Sequence, residues 1–209
     1  MLPVTIPIFP LPNVVLFPNV FLPLHIFEPR YRTMVEEAVR GDRIIGMVLL
    51  RPGWEGDYEG RPPVYAVGCA GVITHSERLA EGRFNIVLRG MEKFRIVDED
   101  GSRPYRIAHV DSLVERPADS DRDLMRRERQ RLEALLVPQA ERQVDLKVPS
   151  SMPDEDLVNA LAQYLEFDPV EKQALLERDG LLERCRSLIE LLEMKVIVAG
   201  RSWARDATH

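Results

Sequence analysis

Cysteine is nearly missing from this chain, with two in 209 residues. Cys69 and Cys185 stand 116 positions apart, too few for a disulfide framework or a zinc site. Histidine is also sparse. His25, His75, His109 and His209 stand singly, without metal-ligand spacing. No metal or cofactor is expected. A surplus of basic charge is lacking too: 28 Lys and Arg face 34 Asp and Glu, a net charge of −6. Nucleic-acid binders usually carry a basic stripe, so RNA binding is the less favoured reading. Charge of either sign is absent from residues 1–27. That stretch is neither a signal peptide, which wants a positive start, nor a membrane span. Six prolines within it would break a helix repeatedly. The chain is therefore expected to be cytoplasmic, with both thiols buried as small hydrophobes.

Proline is what the sequence has in quantity. Seven of its 16 prolines (Pro3, Pro7, Pro10, Pro12, Pro18, Pro23 and Pro29) fall in the first 30 residues. They read as punctuation between short, buried, extended segments. Hydrophobic residues at 45% and charged residues at 30% allow a real core. The length fits one large domain or two small ones.

Composition changes near residue 117. Residues 1–117 hold 14 basic and 15 acidic side chains; residues 118–209 hold 14 and 19. The first part reads as β-rich. Strands are expected at Val4–Phe9, Val20–Phe27, Ile44–Leu50, Val64–Arg78, Phe84–Val97 and Tyr105–Val114. One helix starts at Pro29, with Tyr31, Met34, Val35, Ala38 and Val39 recurring at helical spacing, and ends at Gly41-Asp42. Gly68, Gly71 and Gly90 mark bulges where a sheet curves. The second part reads as helical, with helices over 121–137, from Ser151, from Asp168-Pro169, and from Leu181 onward. Residues 200–209 read as a frayed tail. The expected fold is α+β: a small, strongly curved sheet or β pseudo-barrel over 1–117, followed by a helical bundle over 118–209.

Signatures of catalysis are missing. No phosphate-cradling P-loop, nucleophile elbow or paired-histidine metalloprotease helix occurs. Cys69 sits in the apolar run Val67–Val72, a setting that keeps a thiol protonated and inert. Residue chemistry alone points to a binding or interaction module.

Several blocks carry a family resemblance. Pro7–Pro18 and Leu22–Tyr31 resemble the opening of the amino-terminal, substrate-binding domain of Lon proteases. Val67–Ile73, Ile86–Ile96, Leu157–Leu161 and Phe167–Glu177 continue the match in order. The resemblance implies a PUA-like pseudo-barrel followed by a helical bundle. It implies a non-catalytic module that recognises unfolded or tagged polypeptides, or engages a protease or chaperone partner, as an adaptor in protein quality control. The alternative it leaves is a component of ATP-dependent proteolysis. The ATPase and Ser–Lys peptidase modules of that family have no counterpart in these 209 residues, so the chain is expected not to be an enzyme.

Candidate peptide-binding residues are Phe17, Pro18, Phe27, Glu28, Arg30, Tyr31, Trp54, Tyr58 and Arg89. Phe17-Pro18 and the Phe27–Tyr31 block either line a groove for extended apolar segments or belong to the core. In the second case Glu28 and Arg30 fix the strand-to-helix corner. Arg89 is either a contact or an outward strand residue. Trp54 and Tyr58 lie in a polar loop, where aromatics have little packing reason to be. The last helix either packs internally or pairs with a second copy as a homodimer.

Overall fold

The computed structural model describes residues 2–57, 60–115, 121–140 and 151–206. In chain order the elements are β1 (Thr5–Leu11), β2 (Phe21–Ile26), α1 (Pro29–Arg40), β3 (Ile44–Leu49), β4 (Val67–Arg78), β5 (Phe84–Asp100) and β6 (Arg106–Leu113). Then come α2 (Arg122–Ala140), α3 (Asp154–Tyr164), α4 (Pro169–Leu176) and α5 (Leu181–Asp206). α5 runs to Asp206, so the tail expected to fray from residue 200 is helical through that point. Residues 207–209 lie outside the described residues.

The six strands form one sheet in the order β2-β5-β4-β3-β1-β6, and β5 also pairs with β6. That extra pairing closes β5, β4, β3, β1 and β6 into a ring and leaves β2 as a flap on β5. Only β1 and β3 pair in parallel. One strand can serve two sets of partners because β5 is 17 residues long. Its first part, Phe84–Arg89, pairs with β2, and its second, Lys93–Asp100, with β6. Between them the β4–β5 register slips at Ala70/Gly71. Met91 is left unopposed, and the strand bends there. Further slips at Ile73/His75 and Ile96/Asp98 add curvature.

Two strand glycines have packing reasons. A Cβ on Gly90 would overlap the Phe17 carbonyl oxygen. Its backbone is instead clasped by the incoming turn: Asn19 N–H donates to Gly90 O at 3.0 Å, and Gly90 N–H to Val20 O at 2.9 Å. Gly68 leaves room for Phe94, whose ring fills the barrel. Around Phe94 pack Leu2, Ile6, Ile8, Val48, Ala70, Ala108 and Val110. α1 buries Tyr31, Met34, Val35 and Ala38, and the Tyr31 ring meets Phe9 of β1 at 4.4 Å between centroids.

The chain resolves into two compact units, and neither ends where composition changes. The first combines Met1–Val114 with Asn159–Glu177; the second combines Glu115–Val158 with Arg178–His209. The boundary expected at 117/118 puts every late helix in the bundle. Residues 159–177, covering the end of α3 and all of α4, belong with the strands instead. Side-chain hydrogen bonds give the physical reason. Asn159 Nδ2 donates to Pro18 O at 3.1 Å, and Phe17 N–H donates to Gln163 Oε1 at 3.2 Å. Gln173 Nε2 donates to Val67 O at 2.9 Å. Asn159 and Gln173 are both buried, so each amide satisfies a backbone group shut off from water. α4 itself starts on Pro169, with Asp168 N–H donating to Glu171 Oε2 at 2.8 Å.

In the second unit α2 packs on α5. Met125, Leu132, Leu136, Leu157, Val158, Cys185, Leu188, Ile189 and Leu192 are buried. Arg184 is fully buried and ion-paired with Glu115. Arg131 on α2 meets Glu193 on α5 at 2.6 Å, and Arg186 meets Glu128 at 3.3 Å. Arg129 bridges Glu133 and Asp154. Among the described residues no helix is long and apolar enough to cross a membrane.

Candidate functional site

β2 is the terminal strand of the sheet, and among the described strands it pairs with β5 alone. Its side chains alternate sharply, with Phe21, Pro23 and His25 exposed and Leu22 and Leu24 partly covered. Opposite them on β5 lie Arg89, Val87 and Asn85, on the same face because paired residues share a side of the sheet. Phe21 is 50% exposed and Phe27, just past the strand, 60%. The His25 and Phe27 rings stack at 6.2 Å between centroids, and His25 Nδ1 lies 2.8 Å from Asn85 Oδ1. From Phe21 to Phe27 the face spans about 20 Å at the rise of an extended strand. Among the described residues Arg89, exposed beside Phe21, has no ion-pair partner.

The outer backbone edge of β2 is partly open. Tyr164 OH, at the end of α3, donates to Phe21 O at 3.0 Å. That carbonyl therefore points away from β5. By the period-two pattern the backbone groups of Pro23 and His25 point the same way. Pro23 has no N–H to offer, which is why proline is tolerated there. The open edge thus presents the Pro23 and His25 carbonyls and the His25 N–H. Two exposed rings flank it.

The proposed contact residues distribute unequally. Phe27 and Arg89 stand on this one face. Phe17 is fully buried and Pro18 is buried beneath the 159–163 segment, so both are core rather than groove. Tyr31 is buried against Phe9. Arg30 Nε donates to Glu28 Oε2 at 3.0 Å, and its guanidinium sits 4.7 Å over the Tyr31 ring. Glu28 and Arg30 therefore fix the corner between β2 and α1. Trp54 is half-buried in the 3-10 turn Trp54–Asp57. Tyr58 lies outside the described residues. Phe21 and Tyr164 were not singled out from sequence. The apolar alternation of Phe21–Ile26, with a proline inside it, is the signal for an edge strand with one exposed face.

Other chemistry is quiet. Cys69 and Cys185 are buried and form no disulfide, and burial pushes the Cys185 thiol up to about 12. Among the described residues no cluster of three or more His, Cys, Asp or Glu could hold a metal ion.

Comparison with known proteins gives a consistent result. The family model for the ATP-dependent protease La (LON) substrate-binding domain matches residues 5–194. Lon protease 2 of Myxococcus xanthus is 29% identical over 201 residues, which cover 93% of this chain and 24% of that protein. Lon protease of Anaeromyxobacter dehalogenans is 27% identical over 201 residues, with the same coverage of 93% and 24%. The chain thus spans about a quarter of the length of these curated relatives. Among solved structures, the N-terminal domain of a Mycobacterium avium complex Lon protease superposes with a TM-score of 0.67 at 19% identity. It covers 90% of this chain and 98% of that one. A Lon N-terminal domain protein from Xanthomonas campestris gives 0.61 at 20% identity, covering 89% and 97%. These two likenesses establish the fold.

Proposed function

Because the chain belongs to the Lon substrate-binding domain family, we propose that it is a non-catalytic module that binds extended, apolar segments of unfolded or tagged polypeptides. The exposed aromatic face on edge strand β2 carries the reading. An incoming strand can pair with the Pro23 and His25 backbone while its apolar side chains meet Phe21 and Phe27. Arg89 favours segments with a carboxylate near that end. Such a module serves as a quality-control adaptor in the cytoplasm. Alternatively, it delivers substrate within ATP-dependent proteolysis, where a protease or chaperone is the partner. Met194, Val196 and Ile197, exposed on α5, support pairing with a second copy; sedimentation equilibrium tests that separately.

The test is fluorescence anisotropy with a labelled unfolded polypeptide. Replacing both Phe21 and Phe27 with Ser is expected to weaken binding about 30-fold, as loss of a hot spot worth about 2 kcal/mol does. Both rings are exposed, so thermal stability should hold. Unchanged affinity in a folded double variant removes this face from the reading. Clean ATP-dependent digestion of casein by the chain alone would overturn the non-catalytic assignment.

A further inference from the structure

The strand-rich unit holds a cavity of about 290 Å³ whose lining includes Arg30, Arg61, Arg103, Arg106, Tyr31 and Tyr105. Four guanidinium groups line it, and among the described residues no carboxylate does. Arg106 engages all three of its nitrogens: Nε and Nη2 donate to Glu99 at 2.7 and 2.6 Å, and Nη1 donates to Pro62 O at 2.8 Å. It pins the wall. Arg103 uses one nitrogen, Nη1, on Glu37 Oε1 at 3.2 Å. Tyr105 OH fixes the other oxygen of Glu37 at 2.6 Å. Burial, then the Glu37 contact, pushes that phenol up to about 12, so it stays a donor to Glu37. Among the described residues Arg61 makes no hydrogen bond, and its charge acts through space on the Asp100 carboxyl.

Arg61 and Arg103 therefore keep unused N–H donors at a hollow whose described lining holds no carboxylate. A guanidinium fork held on one side by a carboxylate is pre-oriented on the other, which lowers the ordering cost of a second partner. The remaining wall is apolar, from Pro10, Leu50 and Pro104. We infer that this cavity binds a small molecule carrying an oxyanion, carboxylate or phosphate, which Arg61 and Arg103 grip while its apolar body rests on Leu50 and the prolines. The inference is independent of the β2 face.

Isothermal titration tests it with three probes: inorganic phosphate, N-acetyl-leucine, and N-acetyl-leucine amide as the uncharged control. Saturable binding of phosphate or of the acid is expected, with the amide inert. Binding of phosphate alone identifies a phosphate-bearing ligand, and of the acid alone a carboxylate. Arg61→Ala and Arg103→Ala should each weaken the effective probe about tenfold, the worth of a charge-assisted hydrogen bond. Arg61 has no intramolecular hydrogen bond to lose, so Arg61→Ala should melt as the parent does and serves as the clean variant. The inference is overturned by absence of saturable binding with both anions, by equal binding of the amide, or by affinity unchanged in both variants.

Discussion

Single residues decide how the entry segment is held. Gly90 is required by space: the Phe17 carbonyl lies where a side chain would start. Gly90→Ala should cost about 1–3 kcal/mol through overpacking. For a chain of this length that lowers Tm by about 2–12 °C. A thermal melt unchanged within a degree would mean the Phe17–Val20 turn moves aside freely. Asn159 acts on the same turn from the other side. Phe17 illustrates a limit of reading residues in isolation. Phe17-Pro18 looks like an exposed turn because prolines and an asparagine surround it. Its backbone is held by Asn159 and Gln163, more than 140 positions away in the chain. No local pattern reports that. Gly90 was legible as a bend, but the carbonyl it accommodates was not.

Elements were more legible than contacts. The apolar run Ile44–Leu50 reads as an inner strand, and β3 does sit between β4 and β1. Apolar spacing after Pro29 and the Asp168-Pro169 start signal both locate helices, because caps and periodicity are local. The double pairing of β5 was not readable, since ring closure depends on which distant strand meets its second half. The edge position of β2 was partly written in Pro23, which cannot donate to a neighbour. That proline also guards the edge. Pro23→Thr would restore an outward N–H and extend the open ladder by one donor. The variant should fold with stability within about 1 kcal/mol of the parent, the span of strand propensities. It should also self-associate more readily at high concentration, measured by light scattering. Equal monodispersity would mean that Tyr164 and the exposed rings, not Pro23, limit strand addition.

At the scale of the whole molecule, the change in composition near residue 117 and the division into compact units disagree, and the disagreement is testable. Cutting where composition changes leaves residues 1–117 without 159–177. The carbonyls of Pro18 and Val67 and the N–H of Phe17 then lose their partners. Each such buried group left unsatisfied costs about 1–3 kcal/mol. Apolar surface uncovered with them adds about 1.5–3 kcal/mol per large side chain. Together these losses rival the whole stability of a typical domain, about 5–15 kcal/mol. Residues 1–117 expressed alone should therefore show a broad, non-cooperative melt and poorly dispersed amide resonances. Adding residues 159–177 as a separate peptide should sharpen both, because α4 and the end of α3 carry the missing donors and acceptor. A cooperative melt of 1–117 without the peptide would show that the closed ring of strands sustains itself. The 159–177 segment would then be a removable cover on the turn that leads into β2. Its release would free the Phe17 N–H and the Pro18 carbonyl without collapsing the fold.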